Sequence, residues 1–91
     1  MNAVDFRAAL ARHALTEAEF ARMTGDKLRT VRQWGSGDRP VPAAVVLAFR
    51  LIEDVGLLPE DAVELAASVM ESRNLTLEDI AALDLPSLRE A

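Results

Sequence analysis

Apolar side chains recur along this chain every three to four residues, and no stretch keeps the two-residue alternation of a strand. The spacing predicts a first helix from about Ala3 to Ala14, capped by Asn2 with Asp5 at its third position. Val4, Ala8, Leu10, Ala11 and Leu15 are expected to supply much of its buried side. A second helix starts at the capping box Thr16 and Glu19 and carries Phe20 and Met23 inward. Gly25 supplies the positive φ that an abrupt reversal needs. A third helix is expected from about Lys27 to Gly35, capped by Asp26 or Thr24, with Val31 and Trp34 as its apolar face.

Ser36-Gly37-Asp38-Arg39-Pro40 reads as a loop, because Gly and Pro both break helices. Pro42 suits the first turn of a fourth helix, whose Val45, Val46, Phe49, Leu51 and Ile52 are apolar almost all round and are expected to be buried. Gly56 ends that helix. Pro59 opens a fifth, from about Glu60 to Arg73, carrying Val63, Leu65, Ala66, Val69 and Met70, with Asn74 as a left-handed terminator. A capping box of Thr76 with Asp79 starts a short helix through Leu83, and Pro86 marks a last turn. The fold class expected is all-α. Residues 1–56 make the main helical domain, and 57–91 extend the same compact domain.

Ninety-one residues suffice for one domain with a small core. A hydrophobic content of 51% with 27% charged residues marks an ordered globular chain, not a disordered tail. Zero cysteines exclude disulfides and thiolate metal sites, which fits the reducing cytoplasm, the expected location. No apolar run approaches the roughly 20 residues that span a bilayer, and the amino terminus lacks a signal-peptide pattern.

Charge changes the picture more. The total of −5 argues at first against nucleic acid, but its distribution reverses that. Residues 1–50 hold eight basic and five acidic side chains, a balance of +3, and residues 51–91 hold two and ten, a balance of −8. This split predicts an amino-terminal part that faces DNA and a carboxy-terminal part kept off the phosphates.

The third helix carries the candidate chemistry. At about 100° per residue, Val31 and Trp34 define its inward side, and Leu28, Arg29, Arg32 and Gln33 fall opposite with Thr30 at one flank. Two short helices around a tight turn, the second basic on one side, are the layout that places a helix in the major groove of duplex DNA. Arg29 is suited to bidentate recognition of guanine and Gln33 to adenine. Leu28 either meets a thymine methyl group or covers its neighbours. Lys27, Arg39 and the nearby backbone amides suit phosphates, which position the protein without reading sequence.

Other residues have plainer readings. His13, the sole histidine, has no second ligand at metal spacing. Trp34 is in the inward register, so it is a core residue and not a stacking platform. Gly35-Ser36-Gly37 follows a helix, so it is a turn and not a phosphate cradle. Glu60, Asp61 and Glu64 complement the dipole at the start of the fifth helix. With no nucleophile–base pair, metal cluster or cofactor loop, neither enzymatic activity nor a cofactor is expected.

Three stretches stand in order: Leu15-Thr16 with Phe20-Ala21-Arg22 and Gly25; Thr30-Val31-Arg32-Gln33-Trp34; and Ser36-Gly37-Asp38-Arg39-Pro40-Val41-Pro42. Together they make residues 5–52, about half the chain, resemble the Xre/Cro-type helix-turn-helix regulators of bacteria and phages. The resemblance implies a five-helix domain that binds operator DNA as a homodimer to control nearby genes. Two positions depart from the family pattern. Glu17 stands where Gln is common, and a carboxylate repels the phosphate that Gln contacts. Asp26-Lys27 replaces a small apolar residue followed by Ser or Thr, and Lys27 can substitute charge for the missing hydroxyl.

Residues 57–91 resemble no family. Their apolar positions (Leu57, Leu58, Leu65, Val69, Leu77, Ile80, Leu83, Leu85 and Leu88) exceed what a minimal core needs, so a homodimer contact is expected there. Wrapping back to enlarge a monomer is the competing arrangement. A protein-binding module, such as an antitoxin docking its partner through the acidic carboxy-terminal half, is the alternative function.

Overall fold

Asn2 and Thr16 are each answered by a carboxylate three residues on, and these two reciprocal boxes start the first two helices in the computed structural model, which describes residues 1–85. In α1 (Ala3–Arg12) the Asp5 amide donates to Asn2 Oδ1 at 2.8 Å. In α2 (Glu17–Thr24) the Glu19 amide donates to Thr16 Oγ1 at 3.0 Å, and the Thr16 amide donates back to Glu19 Oε1 at 3.1 Å. Helix α1 stops at Arg12, short of the expected Ala14. Ala14 takes φ of 53°, and the chain turns back so that the Leu15 amide donates to the Leu10 carbonyl. Gly25, at φ of 78°, ends α2 as expected and leads through Asp26 and Lys27 into α3 (Leu28–Ser36).

Backbone contacts group Met1–Val41 as one compact unit and the chain from Pro42 onward as a second. In the first, α3 packs on both α1 and α2. Its centre is three aromatic rings meeting edge to face. Phe6 lies 5.7 Å from Phe20 and 5.9 Å from Trp34, centroid to centroid, and all three are buried. Such pairs add roughly 0.5–1.5 kcal/mol beyond their area.

The inward face of α1 is therefore Phe6, Ala9 and Leu10. Of the positions expected there, only Leu10 is buried and Leu15 is half-buried. Ala8 and Ala11 are exposed, and Val4 is 63% exposed. The large ring of Phe6 sets the rotation of the helix, and small alanines at other phases do not compete with it.

In the second unit, α4 (Ala43–Arg50) follows Pro42, which stands at the cap position and not in the first turn. Helix α4 runs on through one wide π-helical turn, Leu51–Val55, where the Gly56 amide reaches the Leu51 carbonyl at 3.1 Å. Val45, Phe49, Leu51 and Ile52 are buried and Val46 half-buried, close to expectation. Pro59 is the first residue of α5 (Pro59–Ser72), which packs on α4. Asn74 is not left-handed; the helix ends on Arg73 in an extended conformation.

The third capping box opens α6 (Leu77–Ala81), with Thr76 and Asp79 exchanging bonds of 2.9 and 3.2 Å. Helix α6 packs on α4 and buries Ile80 completely. Most of the apolar positions counted as surplus are thus used inside this unit: Leu57, Val69, Leu83 and Leu85 are half-buried, and only Leu58, Leu65 and Leu77 are exposed. Pro86 and Leu88 lie outside the described residues. Among the described residues the structure is all-helical, and no helix is long and apolar enough to cross a membrane.

Candidate nucleic-acid interface

Helix α3 has its apolar side set by Val31, Trp34 and Gly35, all buried against α1 and α2. Arg29 and Arg32 point the other way and are exposed, while Thr30 and Gln33 are half-buried at the edge of the same face. Leu28 lies nearer the buried side than its expected outward position. At about 100° per residue it falls roughly 60° from Val31, and it is half-buried.

The chain after α3 folds back onto this face. Gly37 adopts φ of 88°, and both its amide and that of Arg39 donate to the Gln33 carbonyl at 3.1 Å. A residue with a Cβ resists that conformation, so the glycine is what allows the doubled bond. Ser36 Oγ donates to the Asp38 carboxylate at 3.0 Å and completes the turn. Arg39, three residues past the end of α3, is thereby brought beside the outward face of the helix.

The result is an open concavity of about 570 Å³. Lys27, Arg29, Thr30, Gln33 and Arg39 line it, with Gly25 and Asp26 from the turn. Five of the seven residues singled out from the sequence are gathered there, and Leu28 and Arg32 are not. Asp26, expected only as a cap, was the residue missed. Lys27, not Asp26 or Thr24, stands at the cap position of α3, and no side chain caps the helix. Thr24 Oγ1 instead accepts from the Asp26 amide at 3.3 Å.

The electrostatics are one-sided. Three cations line the concavity against one carboxylate, and the side chains of Lys27, Arg29, Arg32 and Arg39 make no hydrogen bond or ion pair to any described residue. Exposed cations without an internal partner keep their charge available to an anion from outside. The second unit has the opposite sign, with nine acidic and two basic side chains between residues 42 and 85. One of those two bases, Arg50, is engaged by Asp54 and by the carbonyls of Ile80 and Leu83.

Glu17 is engaged inside the first unit. Its carboxylate lies over Gly35, with Oε2 2.7 Å from where a Cβ of Gly35 would stand. Trp34 is 3% exposed, as its register required, and His13 is half-buried at the end of α1.

Compared with protein-family models, with curated proteins and with solved structures, the chain matches none of them.

Proposed function

We propose that this chain is a sequence-specific regulator of the Xre/Cro helix-turn-helix type that binds double-stranded DNA and represses by occupying an operator. In this reading α2 and α3 are the helix-turn-helix, and α3 enters the major groove. The observation that carries it is the convergence of Lys27, Arg29 and Arg39, with Thr30 and Gln33, on one open face of α3. Arg29 and Gln33 read base edges, because a guanidinium matches guanine O6 and N7 and a carboxamide matches adenine N6 and N7. Lys27 and Arg39 hold phosphates at either end of the helix. Arg32, outside the concavity, reaches the backbone on its other rim, and Leu28 touches a thymine methyl only through its exposed half.

One recognition helix covers a few base pairs, which rarely suffices against genomic competition. The reading therefore includes a homodimer on a palindrome, its half-sites about one helical turn apart. Titrating a random-sequence duplex with the protein at several salt concentrations tests the electrostatic part. Lys27→Ala and Arg39→Ala should each flatten the slope of log affinity against log salt by about one unit. Binding that ignores salt, or no binding at low ionic strength, contradicts the proposal.

A further inference from the structure

Asp26 is the one carboxylate lining the concavity on α3, where Lys27, Arg29 and Arg39 supply three cations. Neither capping nor ion pairing accounts for it. No side chain caps α3, and it is the Asp26 amide, not the carboxylate, that meets Thr24 Oγ1 at 3.3 Å. The carboxylate makes no hydrogen bond or ion pair with any described residue, its three cationic neighbours included, and the residue is exposed. A negative charge in this place works against phosphate, which it repels. The family pattern has a small apolar residue at this position, so the resemblance assigns it no contact.

We propose that Asp26 selects cytosine at one base pair of the half-site, beside the guanine read by Arg29. The inference rests on the proposed entry of α3 into the major groove, and adds a third base and the residue that reads it. The reason lies in donors and acceptors. An ionised carboxylate only accepts hydrogen bonds. In the major groove guanine presents two acceptors and thymine one, so both repel it. Adenine presents its N6 amino group beside the acceptor N7, which a carboxylate cannot satisfy. Cytosine alone offers a donor, N4, with no acceptor beside it on its own edge. The charge that weakens every phosphate contact thus discriminates among bases, a combination that a neutral side chain does not give. Asp26, Arg29 and Gln33 follow one another from the turn toward the end of α3. The cytosine therefore falls on the side of the Arg29 guanine away from the Gln33 adenine.

Selection from a randomised duplex pool, run on the parent, Asp26→Ala and Asp26→Asn, tests this contact. The parent should enrich cytosine at that position, and duplexes with another base there should bind about fivefold or more weakly. Asp26→Ala should enrich all four bases alike at that position. It should leave the positions read by Arg29 and Gln33 unchanged, which also shows that the variant is folded and docked. It should bind random-sequence duplex at low salt about twofold or more tightly than the parent, because a repelling charge is gone. Asp26→Asn, with an acceptor and a donor on the same frame, should move the preference from cytosine to adenine. A parental motif without cytosine there, or cytosine kept by either variant, overturns the proposal while the parent's motif upholds the reading role of α3. So does loss of the whole motif by Asp26→Ala, or a random-duplex affinity for it at or below the parent's. A parent that enriches no motif, or binds no duplex at low salt, overturns the role of α3 and this contact with it.

Discussion

The Glu17 carboxylate, from the first turn of α2, covers the backbone of Gly35 in the last turn of α3, so closely that a Cβ there would meet its Oε2 at 2.7 Å. The methylene of Arg7 Cγ stands at 3.6 Å on the same spot. Glycine inside a helix costs about 1 kcal/mol relative to alanine, and the seat it leaves for Glu17 is what it provides here.

The obstruction at Gly35 is the far end of a flexible side chain, so Gly35→Ala should displace Glu17 toward solvent without breaking the fold. Urea unfolding should show a change within about 1 kcal/mol of the parent, the helix-propensity gain offset by the loss of the carboxylate's seat. In a Glu17→Ala background the same change should stabilise by the full amount, about 0.5–1 kcal/mol. A loss above about 2 kcal/mol in both backgrounds would mean that backbone, not the Glu17 side chain, sets the limit.

The phase of α1 gives a second prediction. Phe6 is fully buried against Phe20 and Trp34, whereas Val4 is 63% exposed. Phe6→Ala should cost about 3–5 kcal/mol, and Val4→Ala no more than about 0.5 kcal/mol. Equal costs in equilibrium unfolding would return the helix to the rotation expected from its alanine-rich stripe.

Part of this fold was legible in the sequence because its signals are short-range. The three capping boxes at Asn2, Thr16 and Thr76 need only residues three apart, and Gly25 and Gly56 end helices through local backbone conformation. The rotation of α1 was not legible. Val4, Ala8 and Leu15 form as regular an apolar stripe as Phe6, Ala9 and Leu10, and only the rings of Phe20 and Trp34, far along the chain, decide between them. The same holds at the candidate site. Val31 and Trp34 set the open face of α3 from periodicity alone. By contrast, the placement of Leu28, the presence of Asp26 in the concavity and the seat of Glu17 depend on how the turn and α2 pack.

Arg50 is the tie that holds α6. Its Nε meets Asp54 Oδ2 at 2.9 Å, Nη1 donates to the Ile80 carbonyl, and Nη2 donates to the Leu83 carbonyl at 2.9 Å. Hydrogen bonds from a charged donor contribute about 1.5–3 kcal/mol, whereas an exposed i,i+4 ion pair contributes about 0.3–0.5 kcal/mol. Arg50→Ala should therefore cost about 2–3 kcal/mol and speed amide exchange across residues 77–83. Asp54→Ala should cost under about 1 kcal/mol. If the two are equal, the carbonyl contacts contribute nothing to stability.

At the start of α6, the Thr76 backbone N–H donates to the Asp79 carboxylate, and the Thr76 hydroxyl adds to it; together they hold the Asp79 carboxyl below the usual aspartate value. A depressed folded-state pKa means that the cap contributes above the unfolded pKa and is lost as pH falls through the folded one. Fraying of residues 77–81 should therefore begin only on the acid side of the ordinary aspartate range. A carbon-13 titration of Asp79 reads this directly. Thr76→Ala should bring its midpoint up toward that of an unstructured aspartate, and an unchanged midpoint contradicts the capping account.

If the open face of α3 reads DNA sequence, duplexes selected by binding from a randomised pool will carry a common motif. The parent should enrich a palindrome whose half-sites lie about one helical turn apart. Arg29→Ala and Gln33→Ala should each lose about 1–3 kcal/mol of discrimination at one base pair of every half-site, leaving the rest of the motif intact. A parent that enriches no motif, or variants that enrich the parental motif unchanged, would contradict that role of α3.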